Sequence, residues 1–445
     1  MSALEQARDL HLALAERFAA ARAGDPAWLQ QLRAEATAHF RAQGLPTTRE
    51  EEWRYTSLRD LAGTDFSLPA AGELPVSRSD VESVAFPVFA CSLYVFVDGR
   101  YEPKLSALGA GADVHIESLA ELATREPELL RQHLGQLASA KEHPFAALNA
   151  AFLGDGAVLR VPRGVDVEEP LHLVFLSTGG EPAPVTHPRV LVVAEAGSQV
   201  RLIQDHVSVG GGTGFSNAVT EVFVGANARV DLVLLQRKAS DAFHLSNLAA
   251  RVERDGRFAS HTLTLGGRLV RNDLAVTLAD EGADATLGGL FFGAGEQVID
   301  NHTLVDHAMP HGTSRELYKG ILGGDSRGVF RGRVLVRPDA QKTDAEQSNP
   351  NLLLSAGAEI DTKPQLEIHA DDVKCSHGST IGQLEEDALF YLRSRAIDLP
   401  RARDLLTFGF AREILAALPV PALAEGLEES LLARLAEATG REEPR

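Results

Sequence analysis

The chain is poor in cysteine: two, Cys91 and Cys375, in 445 residues. Two thiols exclude a disulfide framework and a four-thiolate metal site within one chain. No apolar run approaches the roughly 20 residues that a membrane helix needs. The opening segment, MSALEQARDLHLALAERF, is amphipathic and carries acids, unlike a signal or transit peptide. Basic residues are in deficit. Lys and Arg number 43 against 62 Asp and Glu, a formal net charge of −19. That balance argues against sequence-independent nucleic-acid binding and against docking on anionic lipid, both of which need a basic surface. Two catalytic signatures are also missing: no Gly-rich loop leads into Lys-Ser or Lys-Thr, and H-E-x-x-H does not occur. Nucleotide hydrolysis is therefore not expected from this chain. The expectation is a protein of a reducing compartment, most simply the cytoplasm, binding neither nucleic acid nor membrane.

The hydrophobic share of 44% is enough for a sizeable core. Three regions are expected. Residues 1–155 read as a helical region with a β-hairpin: Leu10, Leu14, Phe18 and later Leu29, Leu32, Phe40 recur at helical spacing. Asp25-Pro26 suits a helix start with Asp25 as cap. The run VFACSLYVFV, closed by Asp98-Gly99, suits a hairpin with Cys91 as a packed core thiol. Residues 156–383 change character. Short Val-, Leu-, Ile- and Thr-rich runs alternate with small turns, and the turn glycines Gly197, Gly225, Gly256, Gly282, Gly324 and Gly357 recur mostly every 26–33 residues, with one step of 42. That period holds two to three short strands and their corners, one rung of a β-helix. The expected fold is mainly β, a β-helix (solenoid) with an apolar lumen lined by residues such as Val190, Val192 and Leu202. A face-packed β-sandwich is the rival. Residues 384–445 return to helical patterns.

Two groups of residues invite chemistry. His302, His307 and His311 lie within ten residues, but His302 and His307 would face opposite sides of one strand unless the chain bends at Met309-Pro310. Cys375-Ser376-His377 is sharper. Positions two apart face the same side of a strand, about 7 Å apart along it. A thiolate and an imidazole together suit iron, zinc or an iron–sulfur centre, yet two ligands are too few for a closed site. The remaining ligands must come from elsewhere in the chain, from a partner or from solvent. Asp371-Asp372 is an acidic pair near this segment, but adjacent strand residues diverge, which is poor for paired acid–base work.

The stretches SRELYKGILGGDSRGVFRGRVLV, AQKTDAEQSNPNLLLS and ADDVKCSHGSTIGQLEEDALFYLRSRAI resemble the SufB/SufD family of iron–sulfur cluster assembly scaffold proteins. EEEWRYTSL, from Glu50 to Leu58, resembles the SufD branch, as does the low cysteine count. One departure is Ala396, where the family usually has Gly after Ser-Arg. The resemblance implies a non-catalytic subunit that works with a SufB-like partner and a SufC-like ABC-type ATPase. The complex builds a nascent Fe–S cluster, shared between chains, and passes it to acceptor proteins. The resemblance implies a cluster-site role for His377, with Cys375 beside it. It also makes the C-terminal helical region ATPase-binding, where Leu389, Phe390, Leu392, Arg393, Arg395 and Ile397 are the expected contacts. A flavin has been associated with such complexes, but no residue here marks a flavin site. A homodimer of the isolated chain is compatible with the sequence. The alternative function is a β-helix carbohydrate-active enzyme, a polysaccharide lyase or hydrolase.

Overall fold

The computed structural model describes residues 2–69, 76–86, 92–107, 114 and 116–438; Cys91 lies outside them. Parallel strands of eight to ten residues alternate between two sheets from Gln199 to Gly382. In the first sheet Phe215–Val224 pairs with Phe243–Val252, then come Leu269–Leu278, Val298–His307, Arg327–Val336 and Glu359–Ile368. In the second, Gln199–Ser208 is followed by Arg229–Arg237, Arg257–Thr264, Asp284–Gly293, Thr313–Leu322, Asp344–Leu353 and Lys374–Gly382. Each rung thus has two strands, one per sheet, and the fold is a β-solenoid rather than a sandwich of antiparallel sheets.

The corners explain the glycine period. At one edge a left-handed residue recurs once per rung: Gly197, Asn227, Asp255, Gly282, His311 and Lys342, with φ between 53° and 72°. Each donates its N–H to a carbonyl of the next corner at 2.6–3.2 Å. Gly324 and Gly357 belong to the opposite edge, so the 42-residue step is a change of edge, not a longer rung. Gly225 and Gly256 serve the first edge differently. A Cβ at Gly225 would lie 2.9 Å from Ala194 O of the preceding rung, and one at Gly256 would lie 3.1 Å from Gly225 O.

Alternate strand residues fill the lumen. Val190, Val192, Leu202, Leu232, Val276 and Phe330 form one buried cluster, as the strand period dictates. The lumen is not apolar throughout, however. A polar seam runs beside the apolar one: Thr220 bonds Gln204, Asn272 bonds Thr264 and Thr362 bonds Asn349 across the two sheets, and Asn272 also bonds Asn301 on the next strand of its own sheet. Buried polar groups persist when each finds a partner inside.

Helices cover the outer faces. Ala3–Ala21 and Ala27–Gln43, with Trp53, Phe66 and Phe145, bury against Phe215, Phe243 and Leu269 of the first sheet. Asp25 does not cap the second helix; its carboxylate instead receives the buried Arg33 guanidinium. The pair Leu399–Ala416 and Pro421–Ala438 packs Ile414, Leu415, Leu423 and Leu427 on Ile203, Val233, Leu263 and Phe292 of the second sheet.

The two ends of the solenoid differ. Upstream, Ser92–Val97 adds parallel to Leu171–Ser177, and short antiparallel strands Arg100–Tyr101 and Ile116–Ser118 close the two sheets. Downstream, Glu359–Ile368 and Lys374–Gly382 end the sheet order, paired on one side only. Among the described residues no helix is long and apolar enough to cross a membrane.

Candidate functional site at the open rung

Cys375 and His377 lie on the terminal strand Lys374–Gly382. Its register places Cys375 opposite Ala345 and His377 opposite Gln347. Both partners are buried, so both terminal side chains spring from the lumen face. Among the described residues no further rung roofs them. His377 is exposed because it is last in its column, while Cys375 is half-buried and packs against the cluster containing Val334, Val336 and Ala345. Burial, with the Asp344 carboxylate adding to it, pushes the Cys375 thiol above its ordinary value. A raised thiol is a weaker metal ligand at neutral pH, so the imidazole is the readier donor. Among the described residues no group of three or more His, Cys, Asp or Glu is placed to hold a metal. The open rung therefore fits a metal or cluster as a partial ligand set, and only as that.

The columns beneath are informative. Under His377 stands Gln347, and under Gln347 stands Glu316. The Gln347 amide donates to Glu316 Oε2 at 2.6 Å. Burial pushes the Glu316 carboxyl up to about 7 against the opposing pull of Thr303 and Gln347. A Cβ at Gly332 would come within 2.2 Å of Gln347 Nε2, so glycine on the opposite sheet makes the room for that amide. Glu316 and Gln347 lie inside the quoted family stretches but were not singled out in the sequence. The available signal was the spacing: they precede His377 by two rungs and one.

The histidine group does not assemble. His302 Nε2 lies 2.9 Å from Asp300 and its Nδ1 lies 3.4 Å from Glu52. His307 meets Ser314 inside the lumen at 2.9 Å, and His311 is a left-handed corner residue. His302 belongs to a clamp. Trp53 lies 3.9 Å from the buried Arg271 guanidinium, Arg271 reaches Asp300 at 2.7 Å, and Thr56 donates to Asp300 at 2.6 Å. Burial alone would lower the His302 imidazole, but Asp300 and Glu52 raise it to about 9. The sequence EEEWRYTSL is thus a strap fixed across the first sheet. Of the acidic pair, Asp372 is engaged by the Lys342 ammonium.

The expected partner-binding residues surround the helix Glu386–Ser394, which buries none of its residues fully. Leu389, Leu392 and Ile397 are half-buried, while Phe390, Arg393 and Arg395 are exposed. Arg395 lies over the Tyr391 ring at 5.1 Å.

Fold and site together define a β-solenoid protein that presents soft donors at an unpaired end. Residues 7–173 match the family model described as SufBD protein N-terminal region, and residues 175–410 match SUF system FeS cluster assembly, SufBD core domain. An iron–sulfur cluster assembly SufBD family protein of Synechocystis is 37% identical over 88% of this chain and 87% of its own length. The iron–sulfur cluster assembly protein SufD of Escherichia coli is 33% identical over 88% of this chain and 89% of its own. That of Bacillus subtilis is 27% identical, covering 92% and 93%. The chain belongs to the SufBD family of iron–sulfur cluster assembly proteins.

Proposed function

We propose that this chain is the SufD-like, non-catalytic scaffold subunit of a complex with a SufB-like partner and a SufC-like ABC-type ATPase. The complex assembles a nascent iron–sulfur cluster and transfers it to acceptor proteins. In this reading the chain has three parts, residues 1–155, 156–383 and 384–445, the last carrying the ATPase contact. The observation that carries it is the open rung: His377 and Cys375 share the inner face of a strand with one unpaired edge. Such an edge accepts a second solenoid by strand addition, and the added chain supplies the ligands that this one lacks. The cluster is cargo here, held by His377 and flanked by Cys375. A neutral imidazole adds no negative charge and holds a cluster less firmly than a fourth thiolate would, which suits release.

The test is co-expression of the three subunits, purification, and iron and sulfide analysis. His377→Ala should lower cluster content several-fold while the complex still forms. Cys375→Ser should have the smaller effect, because part of that side chain is packing. A His377→Ala complex that loads and transfers clusters as well as the parent would return His377 to an ordinary strand-end residue.

A further inference from the structure

The acceptor atom of Gln347 directly beneath His377 has no partner. Gln347 Oε1 is buried and unbonded, while Nε2 of the same amide is committed to Glu316. A buried acceptor left without a donor costs free energy, so it recruits one from whatever stands next. What stands next in register is His377, one rung on, about 4.8 Å away by strand spacing. We propose that Glu316 and Gln347 are positioning residues for His377, and that the Gln347 amide has two settings that decide which imidazole nitrogen offers its lone pair outward. This rests on His377 being the ligand at the open rung.

The two settings follow from hydrogen-bond valence. An ionised carboxylate only accepts, so it holds the amide NH2 toward itself and the carbonyl toward His377. That carbonyl takes the N–H of the imidazole, and the other ring nitrogen presents its lone pair to a metal. A protonated Glu316 can donate its O–H to Gln347 Oε1. The amide can then flip, its NH2 occupies a ring-nitrogen lone pair, and the N–H is left facing out, where no metal binds. No covalent bond changes in the flip, and the single proton involved enters or leaves Glu316. Around Glu316 stand Leu287 below it, Gln347 above, Thr303 from the opposite sheet and Tyr318 along its own strand. Tyr318 is the titratable neighbour; burial and the Glu316 charge push its phenol above the ordinary range. The Glu316 carboxyl, pushed up to about 7, changes charge near neutrality.

The experiment uses the full chain with 15N-labelled histidine and Co2+ as the metal probe. Ring 15N shifts report the tautomer of His377, assigned with His377→Ala, from pH 6 to 8.5. The parent should move from a mixed to a single tautomer as pH rises, and Co2+ affinity should rise in step by about tenfold, one tenfold step being about 1.4 kcal/mol. Glu316→Gln should abolish that movement beyond whatever His377 shows by itself, which both proteins share. Gln347→Leu should lose the tautomer preference at every pH. Thermal unfolding confirms that each variant is folded, and Gln347→Met replaces Gln347→Leu where it is not. Identical tautomer ratios and Co2+ titrations in the parent and Glu316→Gln would overturn the proposal. Failure of the site reading looks different: cluster loading would survive His377→Ala whatever the tautomer spectra show.

Discussion

Ala396 follows the helix Glu386–Ser394 in a left-handed conformation, with φ of 65°. Its N–H reaches Arg393 O at 3.1 Å, and the next N–H reaches Leu392 O at 3.3 Å, the bonding of a glycine-type helix stop. The turn forms despite the methyl group, so Ala396→Gly should raise stability by about 1 kcal/mol in denaturant unfolding. Glu316 sets a pH dependence of definite sign. Its carboxyl is raised from 4.5 to about 7 in the folded chain. Below 4.5 both states are protonated and nothing is lost. Between 4.5 and 7 the unfolded chain sheds its proton first, so stability falls with rising pH, by up to about 3 kcal/mol at roughly 1.4 per unit. Glu316→Gln removes this slope. The gap between variant and parent should be near zero at pH 4 and full by pH 8 in parallel melts. At this scale the shared face of Cys375 and His377 was legible from their spacing alone. The Gln347 and Glu316 column was not, because stacking depends on rung register, and corners of unequal length hide it until the strands are paired.

At the scale of elements, the corner period was readable through its glycines, yet only part of the corner chemistry is glycine. Asn227, Asp255, His311 and Lys342 take the same left-handed place, so His311, one of the three clustered histidines, is a corner residue. The C-terminal helices divide by burial. Leu399–Ala416 and Pro421–Ala438 shield the second sheet, so deleting residues 384–445 would bare Ile203, Val233, Leu263 and Phe292 as well as remove the proposed ATPase contact. The cleaner test concerns the helix Glu386–Ser394, where Phe390 is 74% and Tyr391 57% exposed. Replacing both with Ala should weaken binding of the SufC-like ATPase at least tenfold in calorimetry, about 1.4 kcal/mol or more. The melting temperature should stay put, since both rings are largely exposed and the Arg395 guanidinium that Tyr391 meets is exposed as well. Unchanged affinity would move the ATPase contact elsewhere.

For the whole molecule, the solenoid and its two flanking helical regions were visible in the alternation of short β-prone runs and long amphipathic ones. The polar seam was not, because inward Gln, Asn and Thr read as surface residues until the second sheet supplies their partners. The seam ends at a rung whose last strands leave Ile368 41% and Ile381 53% exposed. Natural sheet edges avoid such residues unless something covers them. Ile368→Lys with Ile381→Lys should therefore block pairing with the SufB-like chain, and any homodimer of the isolated chain, in sedimentation velocity. The same variant should leave monomer stability within about 0.5 kcal/mol. One further consequence lies in the spacing of the last elements. Only Gln383, Leu384 and Glu385 separate the strand that ends at Gly382 from the helix that begins at Glu386. Three residues reach about 10 Å when taut, so the link has little slack. A machine gripping that helix would be working a short lever, and the strand at its other end is the one bearing His377.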